Sequence, residues 1–134
     1  MRREIILPDE DIEYLDSLKL DWETIKDANI EWLIVHNFNV PKGYLTDKVD
    51  IAILITSGYP IAPLDMAYFL PALYRIDGQA INATESMQQL DEKSWQRWSR
   101  HRTAQNPWQP GVDNILIHFI SIQHWLEREF IIKP

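Results

Sequence analysis

The chain has 134 residues, 46% of them hydrophobic and 25% charged, with a net charge of −7 at pH 7 and no cysteine. This balance predicts one globular domain spanning residues 1–134. The absence of cysteine excludes disulfides, thiolate metal sites and thiol nucleophiles. The acidic net charge argues against general nucleic-acid binding, and no apolar run is long enough for a membrane helix. The scattered glycines form no phosphate-binding loop. We therefore expect a cytoplasmic protein with no metal, no cofactor, no nucleic-acid partner and no membrane association.

The chain begins with a helix signal. "PDEDIEYLDSL" (8–18) starts with proline and three acids, which suit the first turn and the positive end of a helix dipole. Its apolar side chains then recur at helical spacing. Residues 21–29 are interpreted as a polar connection that is anchored by Trp22.

Three segments are predicted as strands: 30–40, 49–56 and 66–71. They are rich in β-branched and aromatic residues, and two of them end at a proline. Alternation in the first segment places His36 on an apolar face, so we interpret it as a hydrogen-bonded core or edge histidine rather than a ligand. The other members of that predicted face are Ile30, Trp32, Ile34 and Phe38. Short connections between consecutive strands favour an antiparallel meander.

The second half of the chain contains one long irregular segment and one helix. Residues 72–110 lack clean periodicity, and a loop of this length in a compact domain is usually functional. Residues 111–130 carry the clearest helical pattern, with an apolar stripe that is predicted to include Val112 and Ile120 and to leave His118 away from its centre. The predicted fold class is α+β: a sandwich of an antiparallel meander packed against an N-terminal helix and a long C-terminal helix.

The stretch "WQRWSRHRTAQNPWQPGVD" (95–113) concentrates three tryptophans, three arginines and a histidine. Tryptophan and arginine are enriched at binding hot spots, which favours a partner-binding patch. Arginines stacked on tryptophans in a solvated loop are an alternative of equal weight. Trp108 is expected to close the end of the sandwich, and Asp113 to serve the start of the last helix. The candidate patch consists of Arg97, Trp98, Arg100 and Arg102.

Two motifs resemble the ubiquitin-conjugating (UBC) fold. Tyr59-Pro60-x-x-Pro63 follows the second predicted strand, and Trp108-x-Pro110 precedes the last helix. With "LPDEDIEYL", "PKGY" and "WQRWSRH", their order is similar to that of the bacterial branch called prokaryotic family E, over residues 7–127. The resemblance implies a UBC-like sandwich and a role in bacterial ubiquitin-like conjugation. It also implies two partners, a ubiquitin-like protein and an adenylating activating enzyme, which are typically encoded beside such a chain.

The resemblance conflicts with the composition on one chemical point. Enzymes of this fold carry the ubiquitin-like C-terminus as a thioester on a cysteine, about eight residues before the Trp-x-Pro, and a His-Pro-Asn asparagine stabilises the oxyanion. In this chain, counting eight residues back from Trp108 leads to Arg100, and the chain has neither a cysteine nor a His-Pro-Asn motif. Asn82 and Asn106 are the amides that could replace the asparagine.

Three functions remain open from the sequence. The first is a UBC-like protein that binds a ubiquitin-like protein, its activating enzyme or both, either without catalysis or through an oxyester on Ser99. The second is an RWD-like interaction module whose partner contacts the sheet or the first helix. The third is a cysteine-independent hydrolase or transferase with Ser99 as nucleophile and His101 as base, although the sequence places no acid beside them to orient the imidazole. Whether the chain is an enzyme, and its oligomeric state, are left open.

Overall fold

The computed structural model describes residues 1–134 and contains two helices and six strands. Neither helix is long and apolar enough to cross a membrane. In chain order the elements are α1 (Asp9–Ser17), β1 (Trp22–Asp27), β2 (Ile30–Asn39), β3 (Lys48–Ile55), β4 (Ala67–Leu70), β5 (Met87–Leu90), β6 (Lys93–Trp98) and α2 (Ile115–Ile132).

All six strands form one antiparallel sheet in the order β1-β2-β3-β4-β6-β5. The first four strands are a meander, and the β5–β6 hairpin joins it through β6, which pairs with β4. The predicted first helix, the three predicted strands and the last helix are all present. The α+β, UBC-like class is therefore confirmed, with three strands more than the sequence predicted.

Two sequence-based predictions are wrong because buried polar residues interrupt the apolar pattern. The segment 21–29, expected as a connection, contains β1, in which the buried Glu23 accepts a 2.7 Å hydrogen bond from Arg2. The segment 72–110, expected to be irregular, contains β5 and β6. In β6 the buried side chain of Gln96 exchanges hydrogen bonds of 2.8 and 3.1 Å with the backbone of Leu73. Such partners lie far away in sequence and cannot be found by a local pattern.

A β-bulge between Val35 and Phe38 changes the face that β2 presents. Phe38 consequently packs with the helix-side core instead of sharing the face of Trp32 and Ile34, which corrects its predicted orientation. His36 is hydrogen-bonded at the bulge, as expected. Its Nε2 lies 2.6 Å from Glu23 Oε2 and its Nδ1 lies 3.1 Å from Asp50 Oδ2. Burial lowers the pKa of His36, but these two carboxylates outweigh it and raise the pKa above its ordinary value.

Both helices pack on the same face of the sheet. Leu15 of α1 and Phe119 of α2 are buried there against the apolar side chains of β2 and β3. The α2 stripe differs from the predicted one, because His118 is buried whereas Val112 and Ile120 are exposed. Helix α2 begins four residues later than the pattern suggested, at Ile115. This delay leaves Val112 in the preceding turn.

The opposite face of the sheet encloses a second core because the sheet is strongly curled. Arg2, which bonds to Glu23 of β1, also reaches Asp91 in the β5–β6 turn at 2.6 Å. The Asp91 amide in turn donates to Asp27 at the end of β1, at 2.7 Å. The two outer strands therefore approach each other. Every strand contributes to the enclosed cluster: Ile25, Trp32, Ile34, Ala52, Tyr68, Leu90 and Trp95.

Candidate functional site

The loop that leaves β6 lies against the segment that precedes β5. The Ser99 amide donates to the carbonyl of Ala83 at 3.0 Å, and Arg100 Nη1 donates to the carbonyl of Asn82, also at 3.0 Å. One backbone and one side-chain hydrogen bond thus fix residues 99 and 100 at the end of the sheet. Neither of the two amides considered from the sequence is bonded to Ser99: the exposed Asn82 side chain accepts from Lys133 Nζ at 3.2 Å, and the exposed Asn106 side chain lies 3.5 Å from Arg102.

His101 is oriented by a carboxylate that the sequence reasoning missed. Its Nδ1 lies 2.7 Å from Asp65 Oδ2, and the two side chains are 61% and 43% exposed. Asp65 comes from the connection between β3 and β4, two residues after Pro63, and 36 positions separate it from His101. A neutral His101 that donates from Nδ1 to Asp65 presents Nε2 as a proton acceptor. No hydrogen bond joins His101 to Ser99.

The four residues of the candidate patch are buried or half-buried. Trp98 is fully buried, donates from Nε1 to Gln96 Oε1 at 3.1 Å, and packs edge-on to Phe69. Its ring supports the loop from inside, because the Arg100 guanidinium lies 4.8 Å from the ring centroid. Arg97 is half-buried within β6. Arg100 and Arg102, which follow the strand, are half-buried as well, with side chains that are 20% and 17% exposed.

The two motifs that carried the resemblance meet in space. Trp108 Nε1 donates to the carbonyl of Pro60 at 3.0 Å, and the rings of Tyr59 and Trp108 lie 6.2 Å apart. The guanidinium of Arg102 lies 5.2 Å from the Trp108 ring centroid, and its Nη1 is 3.6 Å from Asp113 Oδ2. Trp108 thus connects the Tyr-Pro motif to the 99–102 loop.

Asp113 closes the turn before α2 rather than capping the helix. Its Oδ2 accepts a 2.7 Å hydrogen bond from the amide of Gln109, and the turn contains the exposed Pro110. Asn114 is the N-cap, and its side chain accepts from the Ile117 amide at 3.0 Å. Asp113 therefore serves the start of the last helix indirectly.

Tyr59 joins three parts of the chain through one hydroxyl. It donates to Asp11 Oδ2 of α1 at 2.7 Å and accepts from the amide of Ile115, the first residue of α2, at 3.0 Å. Burial raises the pKa of Asp11, and the hydrogen bond from Tyr59 opposes that increase. This network fixes the Tyr-Pro motif against both helices.

A pocket of about 260 Å³ opens beside His101, between the loop and α2. The buried side chain of Glu129 contributes to it, with Oε2 3.9 Å from Arg100 Nη2. Behind this region His118 is buried and donates from Nε2 to the Met66 carbonyl at 3.0 Å, and burial lowers its pKa to about 4. No group of three His, Asp or Glu side chains has the arrangement of a metal site.

The chain matches the family described as prokaryotic E2 family E over residues 7–129. The chain belongs to this family. Its members are E2-like proteins of bacterial ubiquitin-like conjugation, and the family implies interaction with ubiquitin-like proteins and activating enzymes in general. No curated protein and no solved structure gives a significant match. The E2-like assignment therefore agrees with the resemblance seen in the sequence and with the curled sheet that carries both helices on one face.

Proposed function

We propose that this E2-like chain binds a ubiquitin-like protein and its activating enzyme in the bacterial cytoplasm, and that it does so without a thioester. The observation that carries the proposal is the 99–102 loop. It lies against residues 82 and 83 in the region where the resemblance locates the carrier cysteine, yet the chain contains no sulfur nucleophile. Without a thiolate, recognition of the partners is the part of the family's function that this surface can perform.

A second candidate is an oxyester carrier, and the His101–Asp65 pair favours it. In that reaction the Ser99 hydroxyl oxygen attacks the carbonyl carbon of an adenylated tail, AMP leaves, and the hydroxyl proton passes to Nε2 of His101. Asp65 would hold the imidazole in the correct tautomer, as the acid does in a catalytic triad. This candidate ranks second because the hydrogen bond between nucleophile and base, which such catalysis requires, does not join Ser99 to His101.

The test combines binding with charging. The chain is mixed with the ubiquitin-like protein and activating enzyme encoded beside its gene, binding is measured by interferometry, and intact mass after addition of ATP detects any adduct. We expect binding to both proteins and no adduct. Ser99→Cys should form a reductant-sensitive adduct if residue 99 occupies the carrier position, and Ser94→Ala, which changes an exposed serine of β6, is the matched control for Ser99→Ala.

Each other result selects a different function. A native adduct that disappears in Ser99→Ala but persists in Ser94→Ala would establish the oxyester carrier. Binding that is insensitive to His101→Ala and Arg100→Gln, but lost on changes in α1 or the sheet, would identify an RWD-like module. No binding to either protein would refute the proposal.

A further inference from the structure

A short antiparallel bridge between the β2–β3 connection and the segment after β4 carries apolar side chains outward. The Leu45 amide donates to the Tyr74 carbonyl at 2.9 Å, and Tyr44 and Arg75 form the central pair. Because side chains alternate along extended backbone, this central pair faces inward and is buried. The outward neighbours are each more than half exposed: Leu45, Tyr74 and Ile76.

The inward pair fixes this bridge to the rest of the fold. Arg75 donates from Nη1 to the carbonyl of Glu129 in α2 and from Nε to Asp77 Oδ1, both at 3.0 Å. The Tyr44 hydroxyl donates to the carbonyl of Leu126, also in α2, at 2.7 Å. The exposed apolar side chains therefore stand on a rigid base, so a partner that covers them orders little additional backbone.

A groove of about 510 Å³ opens beside Tyr74. The buried side chains of Leu73 and Ile81 give it apolar walls, and Met87 of β5, which is more than half exposed, also lines it. Single exposed apolar side chains are ordinary on a protein surface, but a group of them around one groove marks a contact with another protein. We call this group the Tyr74 patch; it consists of Leu45, Tyr74, Ile76 and Met87.

The Tyr74 patch carries two polar groups that are complementary but not joined. The Tyr74 hydroxyl takes part in no hydrogen bond, and the exposed Glu85, which lines the same groove, takes part in no hydrogen bond or ion pair. A phenol is a donor and a carboxylate is a strong acceptor. A two-fold axis exchanges such a pair between two copies, because each surface then presents to the other what it lacks.

The charge of the groove is compatible with a second copy of the chain. Its lining includes one cation and one anion, Arg75 and Glu85, although the chain as a whole has a net charge of −7. The first turn of α1, by contrast, carries three acids. Repulsion between two copies is therefore weaker at the Tyr74 patch than at the acidic helix.

We propose that the Tyr74 patch is a homodimer interface, in which Tyr74 of each copy enters the groove of the other and donates its hydroxyl to Glu85 there. Tyrosine and methionine are enriched at such contacts. A standard interface uses about 20–30 residues a side, more than this patch supplies, so we expect a dissociation constant on the order of 10–100 μM. This inference goes beyond the proposed function and does not depend on it, since the dimer needs no ubiquitin-like protein.

The experiment is sedimentation equilibrium of the full chain at concentrations on both sides of that value. We expect a monomer–dimer equilibrium. Tyr74→Ala removes the contact twice in a symmetric dimer, so a hot spot of about tenfold for each contact should weaken dimerisation about 100-fold. Ile6→Ala is the matched control, because Ile6 is an even more exposed apolar side chain outside the patch, and it should leave the equilibrium unchanged.

Two further variants test the exchanged hydrogen bond. Tyr74→Phe keeps the ring and Glu85→Ala removes the acceptor, so each should weaken dimerisation by a similar factor. The double variant should be no weaker than either single variant, because the two changes remove one interaction. Glu13→Ala, at an exposed acid of α1, is the control for the lost charge and should not weaken the dimer. Tyr74→Phe also keeps the test informative if Tyr74→Ala lowers the melting temperature.

Three results would overturn the inference. The chain would have to remain monomeric at every concentration, form species larger than a dimer, or dimerise equally well with Tyr74→Ala. Effects of Tyr74→Phe and Glu85→Ala that multiply in the double variant would show that the hydroxyl and the carboxylate do not meet, and would overturn the proposed arrangement as well. Binding of the ubiquitin-like protein is measured separately, so the proposed function stands or fails independently of these results.

Discussion

The buried His118 should make the folded chain sensitive to mild acid. In the folded state burial lowers its pKa to about 4, compared with 6.5 for the unfolded chain. Below pH 6.5 the unfolded chain therefore binds a proton that the folded chain does not, and the free energy of unfolding falls with pH. At about 1.4 kcal/mol for each pH unit, this histidine removes about 2 kcal/mol between pH 7 and pH 5 and about 3 kcal/mol by pH 4.

The assay is urea unfolding followed by tryptophan fluorescence at pH values from 7.5 to 4.5, for the wild type and for His118→Gln. The glutamine amide can replace Nε2 toward the Met66 carbonyl but cannot be protonated in this range. Carboxylates titrate in both proteins, so the informative quantity is the difference between the two curves. That difference should change by about 2 kcal/mol between pH 7 and pH 5 in favour of the variant. His124→Gln, at an exposed histidine of the same helix, should keep the wild-type dependence. Parallel curves for wild type and His118→Gln would show that His118 is not held neutral in the core.

The structure makes three further predictions about stability. Tyr59→Phe removes the hydroxyl that joins α1 to α2 and should cost about 1–3 kcal/mol by chemical denaturation, and an unchanged midpoint would argue against this network. His36 has a raised pKa, so its contribution is complete below pH 6.5 and is lost as pH rises through the folded value. His36→Gln should therefore destabilise the chain more at pH 6 than at pH 8.5, and an equal effect at both would contradict the ion pairs. In Gly43→Ala the new Cβ would lie 2.3 Å from the Phe130 ring at a φ of +113°, so we expect a lower melting temperature than for Gly78→Ala, whose Cβ meets nothing within 4 Å. Equal melting temperatures would show that the ring moves away at no cost.

Sequence reasoning recovered the elements whose signals are local. The proline and acids before α1, the β-branched runs of β2 and β3 and the long apolar pattern of α2 each lie within one segment. It failed at β1 and β6 because buried polar side chains, such as Glu23 and Gln96, interrupt the alternation there. Their partners are Arg2 and the backbone of Leu73, and neither is close in sequence.

The candidate site shows the same limit. The two motifs meet at Trp108, where contacts from Arg102 and Pro60 converge on the ring. The carboxylate that orients His101 could not be predicted from the sequence, because Asp65 is distant in the chain and only the fold places it beside His101. The burial of Trp98 could not be predicted either. A tryptophan next to arginines has the same local sequence pattern whether it lies on the surface or in the core.

The N-terminal segment that runs along β1 determines how copies of this chain can associate through their sheets. Residues 2–5 cover the outer edge of β1, with backbone hydrogen bonds of 3.0 Å from Thr24 to Arg2 and 2.9 Å from Glu4 to Thr24. The only sheet edge left without a neighbouring strand is β5, which is four residues long. A short edge is a poor template for strand addition. In the folded state, a second chain can therefore add a strand only along the short edge of β5. A longer edge, that of β1, becomes available only if residues 2–5 detach.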